Sequence, residues 1–258
     1  MCLSLMNDIQ PTNWTPDSIC LHKPNATAQT VAPSVYNKVC RKSFDAPGFC
    51  LLNVGSELDS HQFRQLMVDL KSEMSALHSS ATDRTLHYLS AVRFDQQTTT
   101  KLHLDGGPEE CFLMLGYEPS DVDSEVEMSD YSKCAFDNNM SPKDFMEQHN
   151  PMFGAGYNML KPYTIRIPCF SANDYQIICI NNSSAPYMPH GQAWQGVLHT
   201  ATILAPDDSK RRVINSTMIA SVPKGGVEPI SDAEQQEFVS TSIVRRRGYD
   251  KTHLEDDT

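Results

Sequence analysis

His103 and Asp105 stand two residues apart in the stretch Thr98-Thr99-Thr100-Lys101-Leu102-His103-Leu104-Asp105-Gly106-Gly107. On an extended segment, side chains at i and i+2 point to the same face. The pair therefore offers one imidazole and one carboxylate in a single direction, a donor set suited to a divalent cation. A second histidine from elsewhere would complete a two-histidine, one-carboxylate triad, which grips Fe(II) on one face and leaves the remaining positions open. The pair alone does not decide the matter. Nine histidines and 32 acidic residues make a chance His-x-Asp/Glu match unsurprising, and the chain holds a second one, His253-Leu254-Glu255. That match lies in a charged tail with no histidine after it, which leaves His103 and Asp105 as the candidates. Gly106 and Gly107 free the backbone that follows, either to turn beneath an ion or simply to bend a loop.

The third donor is sought downstream. Val197-Leu198-His199-Thr200-Ala201-Thr202-Ile203 reads as a strand in which His199 shares a face with Val197, Ala201 and Ile203. A lone histidine on such a face is more often a packed core residue. Here the turn Ala205-Pro206-Asp207-Asp208-Ser209-Lys210 leads straight into a strand that begins Arg211-Arg212. A hairpin at this turn would return an arginine to the neighbourhood of His199. Guanidinium binds carboxylate through two parallel hydrogen bonds, and inside a barrel it would be costly without an anionic ligand. His190, in Met188-Pro189-His190-Gly191-Gln192, is the rival for the distal position, although proline and glycine mark its surroundings as a loop.

The elements that must carry these residues are legible in part. A strand, Gly48–Val54, precedes a helix whose apolar stripe is Phe63, Leu66, Met67, Leu70, Met74 and Leu77, with Asp59 as N-cap and Gln62 in the capping-box position. The period then changes to that of strands: Leu86–Phe94, Thr99–Leu104, Cys111–Tyr117, Tyr163–Pro168, Gln176–Asn181, Gly196–Leu204 and Arg211–Val222. The pattern predicts a mainly β fold with flanking helices, as in a sandwich or barrel. Residues 1–43 read as an N-terminal arm, 44–244 as the domain and 245–258 as a polar tail. Within the domain, the polar 118–158 segment is an insert and a candidate lid, with a short helix at Pro142–His149.

Composition narrows the partners. The net charge of −11 argues against a nucleic-acid backbone, which needs an excess of lysine and arginine. No segment has the ~20 apolar residues of a membrane-spanning helix. The eight cysteines are scattered singly, with no CxxC pair and no secretory leader pattern, so reduced thiols and a cytoplasmic location are expected.

His103-x-Asp105, then His199, then an arginine 12 or 13 residues later with a serine further along that strand, resembles the Fe(II)/2-oxoglutarate-dependent oxygenase superfamily. The likeness covers roughly residues 45–222 and includes the strand-then-helix run Ala46–Leu70 and the Ile177–His199 stretch. It implies a double-stranded β-helix, or jelly roll. It also implies Fe(II) held by His103, Asp105 and His199, and O₂ and 2-oxoglutarate as cosubstrates. Arg212 or Arg211 would hold the distal carboxylate. Arg212 is preferred because Ile214, Ser216 and Met218 share its face, with Ser216 placed to add a hydroxyl. The family often has that serine two residues after the arginine, where this chain has Ile214. A carboxylate at Asp105, rather than the small residue of halogenating members, implies hydroxylation of a C–H bond of a small molecule, with release of succinate and CO₂. Tyr163, Arg166 and Asn181 lie on strands that could line the cavity. Two other readings stay open: a jelly-roll scaffold without catalysis, and a cupin-like metalloenzyme that does not use 2-oxoglutarate.

Overall fold

The computed structural model describes residues 12, 14–187 and 193–247. Its strands form two sheets. The larger has seven strands in the order β1-β2-β7-β4-β9-β3-β10: β1 (Cys20–His22), β2 (Phe49–Gly55), β3 (Arg84–Gln96), β4 (Cys111–Tyr117), β7 (Tyr175–Asn181), β9 (Val213–Pro223) and β10 (Arg245–Arg247). The smaller has three, in the order β6-β5-β8: β5 (Ser124–Ser129), β6 (Thr164–Arg166) and β8 (Leu198–Ile203). Neighbouring strands are antiparallel except at the edges, where β1 joins β2 and β10 joins β3 in parallel.

Three apolar clusters set the layering. On one face of the large sheet, Phe112, Met114 and Ile177 pack with Phe63, Met67, Leu70 and Met74 of α3 (Ser60–Ala81), Val31 and Val35 of α2 (Ala28–Val39) and Phe238 of α7 (Asp232–Ser240). On the other face, Leu113, Leu115, Ile178 and Ile214 meet Val126, Met128 and Val197 from the small-sheet side. Beyond the small sheet, Leu102 and Leu198 are covered by Tyr131, Cys134, Phe145 and Leu160, from α4 (Tyr131–Asp137), α5 (Pro142–Gln148) and α6 (Gly154–Leu160). A strand buried on both faces has no polar side to show. That is why Cys111–Tyr117 is apolar throughout and buried along its whole length.

The fold is thus mixed α/β rather than mainly β, and the departures from the sequence reading have physical causes. The 1–43 arm contains α1 (Pro16–Ile19), β1 and α2, and α2 buries Ala28, Val31, Ala32, Val35 and Val39. These positions fall at i, i+3, i+4, i+7 and i+11, a helical stripe that the reading of this segment as a weakly periodic arm passes over, with Pro33 inside it. Part of the 118–158 segment is β5, the central strand of the small sheet, so its polar outward residues hide a structural role. Thr99–Leu104 forms no regular strand; threonine hydroxyls replace ladder bonds, with Ala201 and Ile203 donating backbone N–H to Thr100 Oγ1 and Thr99 Oγ1 at 3.0 and 2.9 Å. The turn after β8 does not close a hairpin, because β8 lies in the small sheet and β9 in the large one. α3 is capped by Asp59 and Gln62 as expected.

Cysteine pairing also differs. Cys20 and Cys169 form a disulfide with Cα atoms 6.7 Å apart, while Cys40, Cys50, Cys111, Cys134 and Cys179 are free and buried. Two cysteines 149 residues apart carry no local signal of proximity.

Candidate metal centre

His103 and His199 meet on an isolated antiparallel bridge, each donating its backbone N–H to the other's carbonyl at 3.1 Å. Residues so paired share a face, and the two ring centroids are 4.3 Å apart. Asp105 lies just beyond the bridge, with Oδ1 3.5 Å from His103 Nε2. One ligand atom from each of the three residues can be chosen so that all lie within 4.8 Å of one another. Donors ~2.1 Å from an ion and at right angles stand ~3 Å apart, so the His103–Asp105 pair is already close to a ligating separation.

The two imidazoles are held differently. His103 Nδ1 lies 2.6 Å from the Lys101 carbonyl, which accepts its proton and leaves Nε2 for a ligand. Burial disfavours the His103 imidazolium, but the Asp105 carboxylate and the Lys101 carbonyl outweigh it and raise its pKa. His199 goes the other way. Burial, then the neighbouring His103, push it down to about 4, so it is a neutral imidazole near pH 7. Its Nδ1 is buried and has no hydrogen-bond partner among the described residues. An orphaned buried nitrogen is costly, and a bound cation would relieve it.

Arg212 lies in the layer between the sheets. It is 3% exposed. Nε donates to Ser124 Oγ of the small sheet at 2.8 Å, and the guanidinium carbon lies 5.0 Å from the centre of the Tyr117 ring of the large sheet. Nη2 is buried without a hydrogen-bond partner among the described residues. Burial lowers its pKa, with Tyr117 and Asp95 opposing, yet an arginine remains a cation. Tyr117 belongs to the apolar cluster between the sheets and lies beside Arg212. Burial pushes its hydroxyl up, Arg212 pulls it down, and the Asp105 charge is near enough to push it up further.

The other candidates are placed as follows. Arg211 is exposed. Ser216 is half-buried on β9, on the order of 13 Å beyond Arg212 at ~3.3 Å per residue, and Ser124 Oγ accepts a hydrogen bond from the guanidinium Nε. Gly107 has a packing reason: a Cβ there would meet Cys111 Sγ and Met218 Sδ, both at 2.9 Å, whereas Gly106 faces open space. Tyr163 bonds Asp137 at 3.0 Å, Arg166 pairs with Glu125 at 2.5 Å, and Asn181 donates to the Val39 carbonyl at 2.8 Å, so each has a structural partner. His190, His253 and Glu255 lie outside the described residues.

No protein-family model and no curated protein matches this chain. The site is therefore read from its own chemistry. A neutral imidazole, an anchored imidazole and a carboxylate can hold a divalent cation, and a buried guanidinium with a spare donor can hold a carboxylate nearby. Sequence reading missed Tyr117 and Ser124. Tyr117 had a signal, since it continues the i, i+2 face of Leu113 and Leu115. Ser124 had none in its acidic surroundings.

Proposed function

We propose that the chain is an Fe(II)- and 2-oxoglutarate-dependent oxygenase that hydroxylates a C–H bond of a small molecule. The observation that carries this reading is the meeting of His103, Asp105 and His199 in an inter-sheet layer that also holds a buried, incompletely bonded Arg212. The path of the chain supports a double-stranded β-helix: β4, β7 and β9 lie in one sheet, β5, β6 and β8 in the other, and the chain passes back and forth between them.

His103, Asp105 and His199 would hold the ion, and Arg212, with Tyr117 and Ser124 beside it, would receive the distal carboxylate of 2-oxoglutarate. When bound, the iron supplies oxidation by O₂, coupled to decarboxylation of 2-oxoglutarate to succinate and CO₂. The protein's share is positioning. The Lys101 carbonyl fixes the His103 ring, burial keeps His199 unprotonated, and the guanidinium orients a diacid along the layer. His199 and Arg212 are buried, whereas the His103 and Asp105 side chains are 32% and 41% exposed, so the open side of the site faces solvent.

The net charge of −11 supports a small molecule over a nucleic acid. No helix among the described residues is long and apolar enough to cross a membrane.

The test is anaerobic titration with Fe(II) and 2-oxoglutarate, followed by succinate measurement in air. Wild type should bind both and release succinate, and His199→Ala and Asp105→Ala should not. Full succinate release by both variants would reject the reading. Binding of neither ligand by wild type would favour a scaffold. Metal binding indifferent to Arg212 would favour a metalloenzyme that does not use 2-oxoglutarate.

A further inference from the structure

Asp105 follows the last hydrogen-bonded bridge of its segment and precedes two glycines, yet its carboxylate must be held in place to serve as a ligand. A single side chain clamps its backbone. The Asp105 N–H donates to Asn182 Oδ1 at 3.0 Å, and Asn182 Nδ2 donates to the Asp105 carbonyl at 2.8 Å. The carboxamide thus pairs with one residue's backbone as a neighbouring strand would, using both its donor and its acceptor.

Asn182 is itself well anchored. It is 2% exposed, its N–H donates to the Cys111 carbonyl at 3.0 Å, and its Nδ2 lies 3.4 Å from Cys111 Sγ. Cys111 Sγ in turn packs at Gly107, where an added Cβ would lie 2.9 Å from it. The start of β4, the residue after β7 and the turn after Asp105 form one braced unit.

We propose that Asn182 is a positioning residue of the metal centre, fixing the Asp105 backbone so that its carboxylate is preorganised for the ion. This rests on the metal site argued above. Asn182 is not one of the three proposed ligands, and its carboxamide bonds the Asp105 backbone instead. Its effect is on the entropy of ordering Asp105, which the free protein has already lost and a variant would lose on binding. Outer groups that orient ligands are typically worth 10–100-fold in metal affinity.

The test uses Co(II) as the metal probe, with affinity from calorimetry and coordination from the visible absorption band. Asn182→Ala should weaken Co(II) binding about 10–100-fold and alter the band. Asn181→Ala is the control. The Asn181 side chain bonds the Val39 carbonyl, so its loss should lower the melting temperature and leave the Co(II) affinity of the folded protein unchanged. Asn182→Leu keeps similar volume and removes both bonds to Asp105, and should behave as Asn182→Ala does. Wild-type Co(II) affinity in either Asn182 variant overturns the proposal, as does failure of both to fold without metal, which would assign Asn182 to the fold alone. Absence of Co(II) binding by wild type would instead reject the metal site itself.

Discussion

His103 and His199 exchange both backbone hydrogen bonds across one antiparallel bridge, and their rings stand 4.3 Å apart on the same face. The relationship joins an irregular segment to β8, the edge strand of the small sheet. Because the bonds are between backbones, the two imidazoles are brought together whether or not a metal is present. The proposed centre would in that sense be preorganised by the backbone.

Arg212 and Arg211 should separate cleanly. Arg212→Met is expected to weaken 2-oxoglutarate binding by about 2–5 kcal/mol, the usual cost of removing one partner of a buried charge pair. Metal affinity should stay near wild type. Arg211→Met, at an exposed position, should change neither. Calorimetric titration of the metal-free protein with Co(II), then of the Co(II)-loaded protein with 2-oxoglutarate, measures the two quantities, and equal effects of the two substitutions would reject the assignment.

Arg41 and Asp130 form a two-pronged ion pair, with Nη1–Oδ2 at 2.8 Å and Nη2–Oδ1 at 2.5 Å, and their side chains are 1% and 2% exposed. Arg41 also donates to the carbonyls of Gln195 and Ala46. Removing one partner strands the other charge, so Arg41→Met and Asp130→Ala should each cost about 3–5 kcal/mol. Urea denaturation checks this. A change in midpoint no larger than that of an exposed substitution would contradict it.

His78 gives stability a pH dependence. Its Nδ1 lies 2.8 Å from the Tyr36 hydroxyl and its Nε2 3.0 Å from Ser221 Oγ. Burial, aided by Arg84 and Lys42, depresses its pKa to about 4 from an ordinary 6.5. The fold therefore favours the neutral ring, and the contribution is complete above pH ~6.5. It declines as pH falls, because the unfolded chain takes up the proton first, and is lost once pH passes below the folded value of about 4. Melting temperatures of the metal-free protein should fall across that window, and the slope should be shallower in His78→Gln. Some slope remains, since buried His199 is shifted in the same direction.

The Cys20–Cys169 disulfide closes a loop spanning 149 residues and ties β1 to the segment after β6. A cross-link of this kind is typically worth about 2–4 kcal/mol. Cys20→Ser should lower the urea midpoint accordingly, and reductant should lower the wild type but not the variant. Peptide mapping without reduction should recover the linked pair. Free thiols at both positions would refute the pairing.

The sequence by itself determined the local part of this protein. The α3 stripe and its Asp59 cap, the apolar run of β4, and the alternation placing His199 with Ala201 and Ile203 all follow from side-chain period, which local backbone geometry imposes. His103 and Asp105 were legible as a donor pair from their spacing on a segment read as extended, although the structure forms only the isolated His103–His199 bridge there. Tertiary structure decided what distance along the chain conceals. It turned Arg212 inward and left Arg211 outside, and it sent β9 to the other sheet after a turn that resembled a hairpin. It joined Cys20 to Cys169 and set the Asn182 carboxamide against the Asp105 backbone. Such pairings depend on which surfaces meet when the two sheets and the helices pack, and no period within a single segment encodes them.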